Sequence, residues 1–262
     1  MRKSGHSKAL PFIGNTCFQK ETPLITISVV NYSKYISDHW HFHDKKHVLA
    51  VLTGGNTEHR KTTTELKAGS TTSYREGEKH RNCNVSPISK NIIIEFNEKF
   101  FDSEMCYDNL EFGVHTFSTL VKTYQECSST DLDNLENIYQ SLYSLFGKNP
   151  SKHFPAWLTT LRDLLNDRWN EFISLHELSQ ELNLHPVTIS KYFSKYFGCT
   201  LAEYMRKIKV ERATQLLFSS TLKKSEIAYL CGFSDQSHMS RLIKRHYGLS
   251  PKGLTNYLIA FG

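Results

Sequence analysis

IAYLCGFSDQSHMSRLIKRHYGLSP, residues 227–251, has an earlier counterpart in LSQELNLHPVTISKYFSKYFGCT, residues 178–200. The offset is 49 as far as Pro186 and 50 from Ile189 onward, which puts one extra residue in the turn of the second copy. Ile189 then matches Met239, Ser190 matches Ser240, Lys191 matches Arg241 and Gly198 matches Gly248. Each copy reads as a short helix, a tight turn and a longer helix. Ser174-x-x-Glu177 and Thr200-x-x-Glu203 are capping boxes. The first opens the first short helix, and the second opens a joining helix over about 201–219. Gly232 falls in the second turn, and Gly248 sits just past the second long helix, where a left-handed cap is needed. Ser250-Pro251 caps and begins a final helix.

A helix–turn–helix unit lays its second helix in the major groove of DNA. That helix needs one apolar face for packing and one polar or basic face for the duplex. Ile189, Phe193 and Phe197 form the packing stripe of copy one, and Met239, Leu242 and Ile243 that of copy two. The opposite faces carry Thr188, Ser190, Lys191 and Lys195, then Gln236, Ser237, His238, Ser240, Arg241 and Arg245. Arg, Lys and Gln reach base edges, while Ser and Thr serve bases or phosphates. The plain alternative is a helical bundle with solvated charges. Two matched copies with caps and a basic bias speak against it.

The charge is distributed accordingly. The chain of 262 residues has a formal net charge of +6. Residues 1–153 are nearly balanced, with 18 Lys and Arg against 17 Asp and Glu. From His185 to the end the count is 12 against 4, a local excess that suits a polyanion. No apolar run approaches the ~20 residues of a membrane helix, and the basic N-terminus lacks the apolar core of a signal peptide. The six cysteines (Cys17, Cys83, Cys106, Cys127, Cys199 and Cys231) form no C-x-x-C pair and are expected as buried thiols. A cytoplasmic, nucleoid-associated protein is expected.

Upstream, the periodicity changes. LITISVV (24–30), HVLAVLT (47–53), TTSYRE (71–76) and NIIIEF (91–96) are short, rich in β-branched or aromatic residues, and separated by turn signals. They predict a sandwich or small barrel. Leu132, Leu135, Ile138, Leu142 and Leu145 follow helical spacing, as do Trp157, Leu158, Leu161, Leu164 and Leu165 after Pro155. The expected organisation is a β domain over 1–147, a linker over 148–154, and an all-helical domain over 155–262. Its helix–turn–helix units are placed at about 174–198 and 223–248.

The run 227–251, with the upstream half from Ser174 to Leu217, resembles the AraC/XylS transcription regulators over residues ~155–260. The resemblance implies two helix–turn–helix units, joined by a rigid helix, that enter successive major grooves. By position it implies base readers at Val187, Ser190 and Lys191, and at Gln236, Ser237, Ser240 and Arg241. The sequence departs from the family pattern at Met239 and Ile243, where aromatics are usual. It departs again at Leu254 in place of Tyr, for which Tyr257 is the nearest substitute. Val187 in place of a long polar reader implies weaker direct readout in copy one.

HWHFHDKKH, residues 39–47, has four histidines at odd positions, which one face of an extended strand would carry together. The resemblance divides them. Many members of the family have a cupin-like sensor barrel, with a metal motif H-x-H, three or four residues, Glu, six residues, Gly. A later G-x5-P-x-G-x2-H-x3-N follows. His41-Phe42-His43, His47 and Gly54 fit the first part; Gly69, Gly77, His80 and Asn84 fit the second. His47 replaces Glu and Arg75 replaces Pro. The resemblance implies an effector pocket lined by His41, His43, His47 and His80, more often for an organic molecule than for metal, so no cofactor is expected. The alternative is a divalent transition metal at the same four histidines, since neutral imidazoles suit Zn, Cu, Ni or Fe. That would make a metal-sensing regulator or a metal-dependent cupin enzyme with a DNA-binding tether. Structural histidines bonded inside the barrel are the third reading.

There is no G-x-S-x-G, P-loop or G-x-G-x-x-G, and an enzyme is not expected. The sequence thus predicts a two-domain chain, an all-β cupin-like barrel with flanking helices before an all-α DNA-binding domain. It predicts a transcription regulator, an activator by the commoner family mode. Its expected partners are double-stranded DNA, a small-molecule effector, RNA polymerase and a second copy of itself. The helix around 131–146 is the expected dimer contact, and residues 1–20 are a basic arm.

Overall fold

The computed structural model describes residues 8–9, 12, 14–32, 38–101, 115–129, 135–145 and 155–260. They form two compact units, residues 1–148 with 252–262 and residues 149–251. Strands come first and the helical half second, as expected from the sequence. The linker over 148–154, Cys106 and most of the N-terminal arm lie outside the described residues.

In the β unit, five strands form the main sheet in the order β2-β3-β10-β5-β8. They are β2 (Asn15–Glu21), β3 (Ile25–Asn31), β5 (His47–Thr53), β8 (Thr71–Tyr74) and β10 (Lys90–Phe96). A second sheet joins β6 (Gly55–His59), β7 (Thr63–Lys67) and β9 (Arg81–Cys83) in the order β7-β6-β9. The short strands β1 (Lys8–Ala9) and β4 (His41–Phe42) pair in parallel. The central strands β3, β5 and β10 are buried along nearly their whole length, which is why they read as continuous apolar runs. Val30, Leu49, Val51, Leu66, Tyr74 and Ile93 form one core cluster between the sheets.

Gly55 is required where the two sheets meet. Its φ is +142°, and a Cβ there would lie 2.0 Å from the Leu66 carbonyl oxygen. Only glycine admits that approach. The end of the expected N-terminal arm is a strand, since residues 15–20 belong to β2.

Two helices complete the chain-consecutive part of this unit, α1 (Thr116–Ser128) and α2 (Leu135–Tyr143). Ile138, Leu142 and Leu145 are buried within the chain. A dimer contact through α2 would therefore use its exposed face of Glu136, Asn137, Gln140 and Ser141.

The helical unit contains α3 (Ala156–Asp167), α4 (Leu175–Leu182), α5 (Pro186–Phe197), α6 (Leu201–Ser219), α7 (Lys224–Leu230) and α8 (Gln236–Tyr247). Both expected capping boxes are present, at Ser174 with Glu177 and Thr200 with Glu203. The final helix α9 (Pro251–Ala260) groups from Lys252 with the β unit. There the Lys90 ammonium donates to the Ile259 carbonyl (3.2 Å), and the Tyr257 hydroxyl bonds to Ser128.

No described helix is long and apolar enough to cross a membrane. Of the described cysteines, Cys127 and Cys231 are buried, Cys83 and Cys199 half-buried and Cys17 exposed. The expectation of uniformly buried thiols is corrected at Cys17, which lies on β2, a strand with one neighbour in the sheet.

Candidate ligand pocket and nucleic-acid interface

The chain brings His41, His43, His47 and His80 together from separate segments, not from one strand face. It bends at Asp44 and Lys45, between β4 and β5. His41 pairs with His80 across an isolated bridge, each amide donating to the other's carbonyl at 2.9 Å. The Gly77 amide donates to the His43 carbonyl (2.9 Å), tying the second motif segment to the first. His47 stands directly opposite Tyr74 in the β5–β8 register. That pairing stacks its ring on Tyr74 at 4.3 Å and 12°. All four histidines are buried, while His39 is exposed.

The ring centroid of His43 lies 5.2 Å from that of His41, 4.9 Å from His47 and 5.2 Å from His80. His41 and His80 are 4.3 Å apart. Potential ligand atoms of His41, His43 and His80 all lie within 4.8 Å of one another. His47 falls outside that triad and forms part of the pocket wall. Phe12, Tyr32, Leu49, Tyr74 and Asn82 complete the lining, and the cavity measures about 30 Å3.

Three of the rings are held by their own backbone. His41 Nδ1 lies 3.0 Å from the His39 carbonyl, His47 Nδ1 3.0 Å from that of Lys45, and His80 Nδ1 3.0 Å from that of Glu78. A carbonyl only accepts, so each of these Nδ1 atoms donates and each Nε2 faces away from its own backbone tether. Burial pushes His80 down to about 3 and His47 well below the ordinary imidazole value; backbone carbonyls oppose this, and neighbouring histidines and Arg60 add to it. These rings are unprotonated at neutral pH.

Behind the pocket lies a polar network that sequence reasoning missed. The Tyr74 hydroxyl donates to buried Glu58 (2.5 Å), and Arg60 Nε donates to the same carboxylate (2.8 Å). Arg60 also donates to Glu78 (3.1 Å), and its guanidinium lies 4.2 Å from the Tyr74 ring centroid. Burial and the Glu58 charge push the Tyr74 hydroxyl well above its usual range. The only signal in the sequence was Tyr74 at an inward position of TTSYRE. The exchange of Pro for Arg75 has a reason here, because the Arg75 amide donates to Glu78 (2.9 Å) and proline has none to give.

In the helical unit, each second helix has a side-chain cap. His185 Nδ1 accepts from the Val187 amide (3.3 Å), and Asp235 accepts from the His238 amide (2.7 Å). The caps therefore correspond at an offset of 50, whereas the left-handed turn residues Asn183 and Gly232 correspond at 49. The extra residue lies before the cap, earlier than the sequence match places it. Gly232 is fixed by packing as well as by its φ of +66°, since a Cβ would meet the Asn170 carbonyl at 2.5 Å.

Ile189 and Phe193 are buried on α5, and Met239, Ile243 and Tyr247 on α8. Tyr247 takes the packing role expected of Leu242, which is half-buried, as is Phe197. Val187, Ser190, Lys191 and Lys195 are exposed, as are Gln236, Ser237, Arg241 and Arg245; Thr188, His238 and Ser240 are half-buried. His238 is engaged locally, its Nδ1 3.0 Å from the Ser234 hydroxyl. Tyr192 was not anticipated on this surface. It is 38% exposed, and the Lys195 ammonium lies 5.9 Å from its ring centroid.

A family model described as "Helix-turn-helix domain" matches residues 178–256. The HTH-type transcriptional activator RhaS of Yersinia pestis (strain Pestoides F) is 29% identical over 139 residues, which is 53% of this chain and 44% of that protein. RhaS of Yersinia pestis bv. Antiqua (strain Angola) is 32% identical over 101 residues, 38% of this chain and 37% of that protein. This chain thus spans less than half the length of the curated relatives it matches. Among solved structures, unsaturated fatty acid bound wild-type ToxT from Vibrio cholerae is similar at 14% identity and a TM-score of 0.39, over 92% of this chain and 98% of that chain.

Residues 178–256 form a helix–turn–helix domain.

Within the helix–turn–helix domain, Met239 and Ile243, the positions where the resemblance implies aromatics, are fully buried, so an apolar packing role is kept. The cap of α8 is sensitive to acid. The His238 and then the Ser237 amide hold the Asp235 carboxyl below its ordinary range. A lowered value means the cap contributes fully above the unfolded carboxylate range near 3.8 and is lost as the pH falls through the folded value. Amide protection factors at the α8 N-terminus, taken relative to the intrinsic exchange rate at each pH, are expected to fall below about pH 4, while the same turn of α5, capped by His185, shows no matching carboxylate step.

Proposed function

We propose that this chain is a sequence-specific DNA-binding transcription regulator, and an activator, with a β unit that responds to a small ligand in the histidine pocket. One observation carries the reading. Two capped second helices, α5 and α8, each bury one face and expose a polar or basic one, with α6 between the two units. Such helices read base edges through Arg and Gln and hold phosphates through Lys and Ser. Val187, Ser190, Lys191, Gln236, Ser237, Ser240 and Arg241 are the assigned readers, with Thr188, Lys195, His238 and Arg245 as supporting contacts. The similarity to RhaS, a transcriptional activator, supports the sign of regulation. Activation would engage RNA polymerase, and a homodimer would bring two such domains to one promoter. A ligand regulates only by preferring one state of the chain over another.

Selection from a random duplex library with the full chain tests the reading. A defined sequence should be enriched. At fixed salt, Arg241→Ala should weaken binding to it by about 1–3 kcal/mol and relax preference at the base it reads. Equal affinity for the enriched and a scrambled duplex would overturn the proposal.

A further inference from the structure

The regulatory reading leaves open how the first helix–turn–helix unit, whose leading reader is the aliphatic Val187, is held in register on DNA. We propose that Tyr192 and Lys195 grip the phosphate backbone from the wall of the groove, with Tyr192 as the positioning residue of α5. This contact rests on the DNA-binding function proposed above and adds to it a residue outside the reader positions.

Helical spacing divides the open side of α5 into two stripes. Val187, Ser190 and Lys191 form the first, and all three are exposed. Thr188, Tyr192 and Lys195 stand at i, i+4 and i+7 on the second. At about 100° per residue the two stripes lie roughly a third of a turn apart. A helix with its side chains is about 10–12 Å across, and the major groove is about 12 Å wide. A helix seated there with its first stripe on the base edges turns its second towards the groove wall, which is sugar and phosphate.

The second stripe is prepared for an anion. α5 carries Lys191 and Lys195 and no acidic residue. Tyr192 is wedged between two rings, Trp157 of α3 edge-on at 6.3 Å and 83° and Tyr196 stacked at 6.4 Å and 20°. The Lys195 ammonium lies 5.9 Å from the Tyr192 centroid and 6.0 Å from that of Tyr196, within the reach of about 6 Å over which a ring face attracts a cation. Among the described residues, neither the Tyr192 hydroxyl nor the Lys195 ammonium has a hydrogen-bond or carboxylate partner. Both therefore keep donors for a phosphate, which accepts from either group. Side chains placed before contact lose less freedom on binding.

The second copy lacks this device. At the offset of 50 set by the caps, Tyr192 corresponds to Leu242, which is half-buried and has no polar group. The reading side differs in the opposite sense, since α8 has Gln236 and Ser237 where α5 has Pro186 and Val187. The two units thus divide the work: the first chiefly anchors and the second chiefly reads.

The test uses the full chain and two duplexes, the one enriched in the selection above and a scrambled one, each titrated at several salt concentrations. Tyr192→Phe keeps the ring against Trp157 and removes only the hydroxyl. It should weaken binding to both duplexes alike, by about 5-fold. Lys195→Gln should also weaken both alike, and should lower the slope of log affinity against log salt by about 1, the mark of one lost phosphate contact. Far-ultraviolet circular dichroism checks that the variants fold. Neutral methylphosphonates, placed singly along the duplex, give an independent reading: at one position the substitution should reproduce the Lys195→Gln loss in the wild type and add nothing to it in the variant. Wild-type affinity in Tyr192→Phe, an unchanged salt slope in Lys195→Gln, or losses confined to the enriched duplex would each overturn the anchor. A chain that enriches a sequence while both variants bind like wild type loses the anchor and keeps the regulator. A chain that enriches none, but whose variants lose affinity and slope as stated on a random duplex, does the reverse.

Discussion

Phe193→Ala is expected to destabilise the helical unit by about 3–5 kcal/mol. Phe193 is fully buried on α5, stacked 4.3 Å from Phe197 and edge-on to Tyr204 of α6 at 5.3 Å. Truncation removes the transfer free energy of the ring and leaves a cavity that the two remaining aromatics fill only in part. A domain of this size has about 5–15 kcal/mol in total, so much of its margin would go. DNA affinity should fall too, because Phe193 fixes α5 against α6. Phe193→Leu, closer in volume, should cost less than the alanine variant, and Lys191→Ala should lower DNA affinity with little change in stability. Urea unfolding followed by helical circular dichroism measures the effect. A midpoint within error of wild type for Phe193→Ala would refute this account of α5 packing.

In the β unit, Glu58→Ala is expected to cost about 3 kcal/mol. The carboxylate is 3% exposed and satisfies both the Tyr74 hydroxyl and Arg60. Its removal leaves the hydroxyl buried without an acceptor. The figure stays at the low end of the range for broken buried pairs because Arg60 is partly exposed and keeps Glu78, the Ser73 carbonyl (2.7 Å) and the Thr72 hydroxyl (2.6 Å). Tyr74→Phe, which removes the donor and leaves Arg60 in place, should cost less, about 1–2 kcal/mol. Thermal unfolding of the full chain reads both, and Glu58→Ala proving no worse than Tyr74→Phe would exclude a charged role for this network.

The helical unit was legible because its signals are local. Capping boxes, glycine caps and apolar spacing each act within a turn or two of helix, and α6 spans the expected 201–219. The strands were legible in proportion to their burial: β3, β5, β8 and β10 announced themselves as apolar or β-branched runs. β2 and β7 are polar and largely exposed, and β9 is three residues long, so none of them stands out from loop. The pocket was half-read. Motif spacing found the four histidines, but their separation into a triad and a stacked wall residue follows from the β5–β8 register, which pairs residues 27 positions apart. Glu58 and Arg60 lie on and just after β6, and nothing local says they meet Tyr74. The shift of the repeat offset in the second copy was set by caps, a geometric property that alignment of side-chain types places one step late.

The carbonyl tethers on His41, His47 and His80 have a mechanical meaning. A buried side chain usually absorbs a push by changing rotamer. Each of these rings is braced against the peptide two residues before it, so it has little slack of its own. Displacing a ring tip drags on residues 39–41, 45–47 or 78–80. Whatever enters or leaves this small cavity works directly on the course of the main chain at three places, and a shift of a fraction of an ångström at the imidazoles leaves the pocket as strain in the strands.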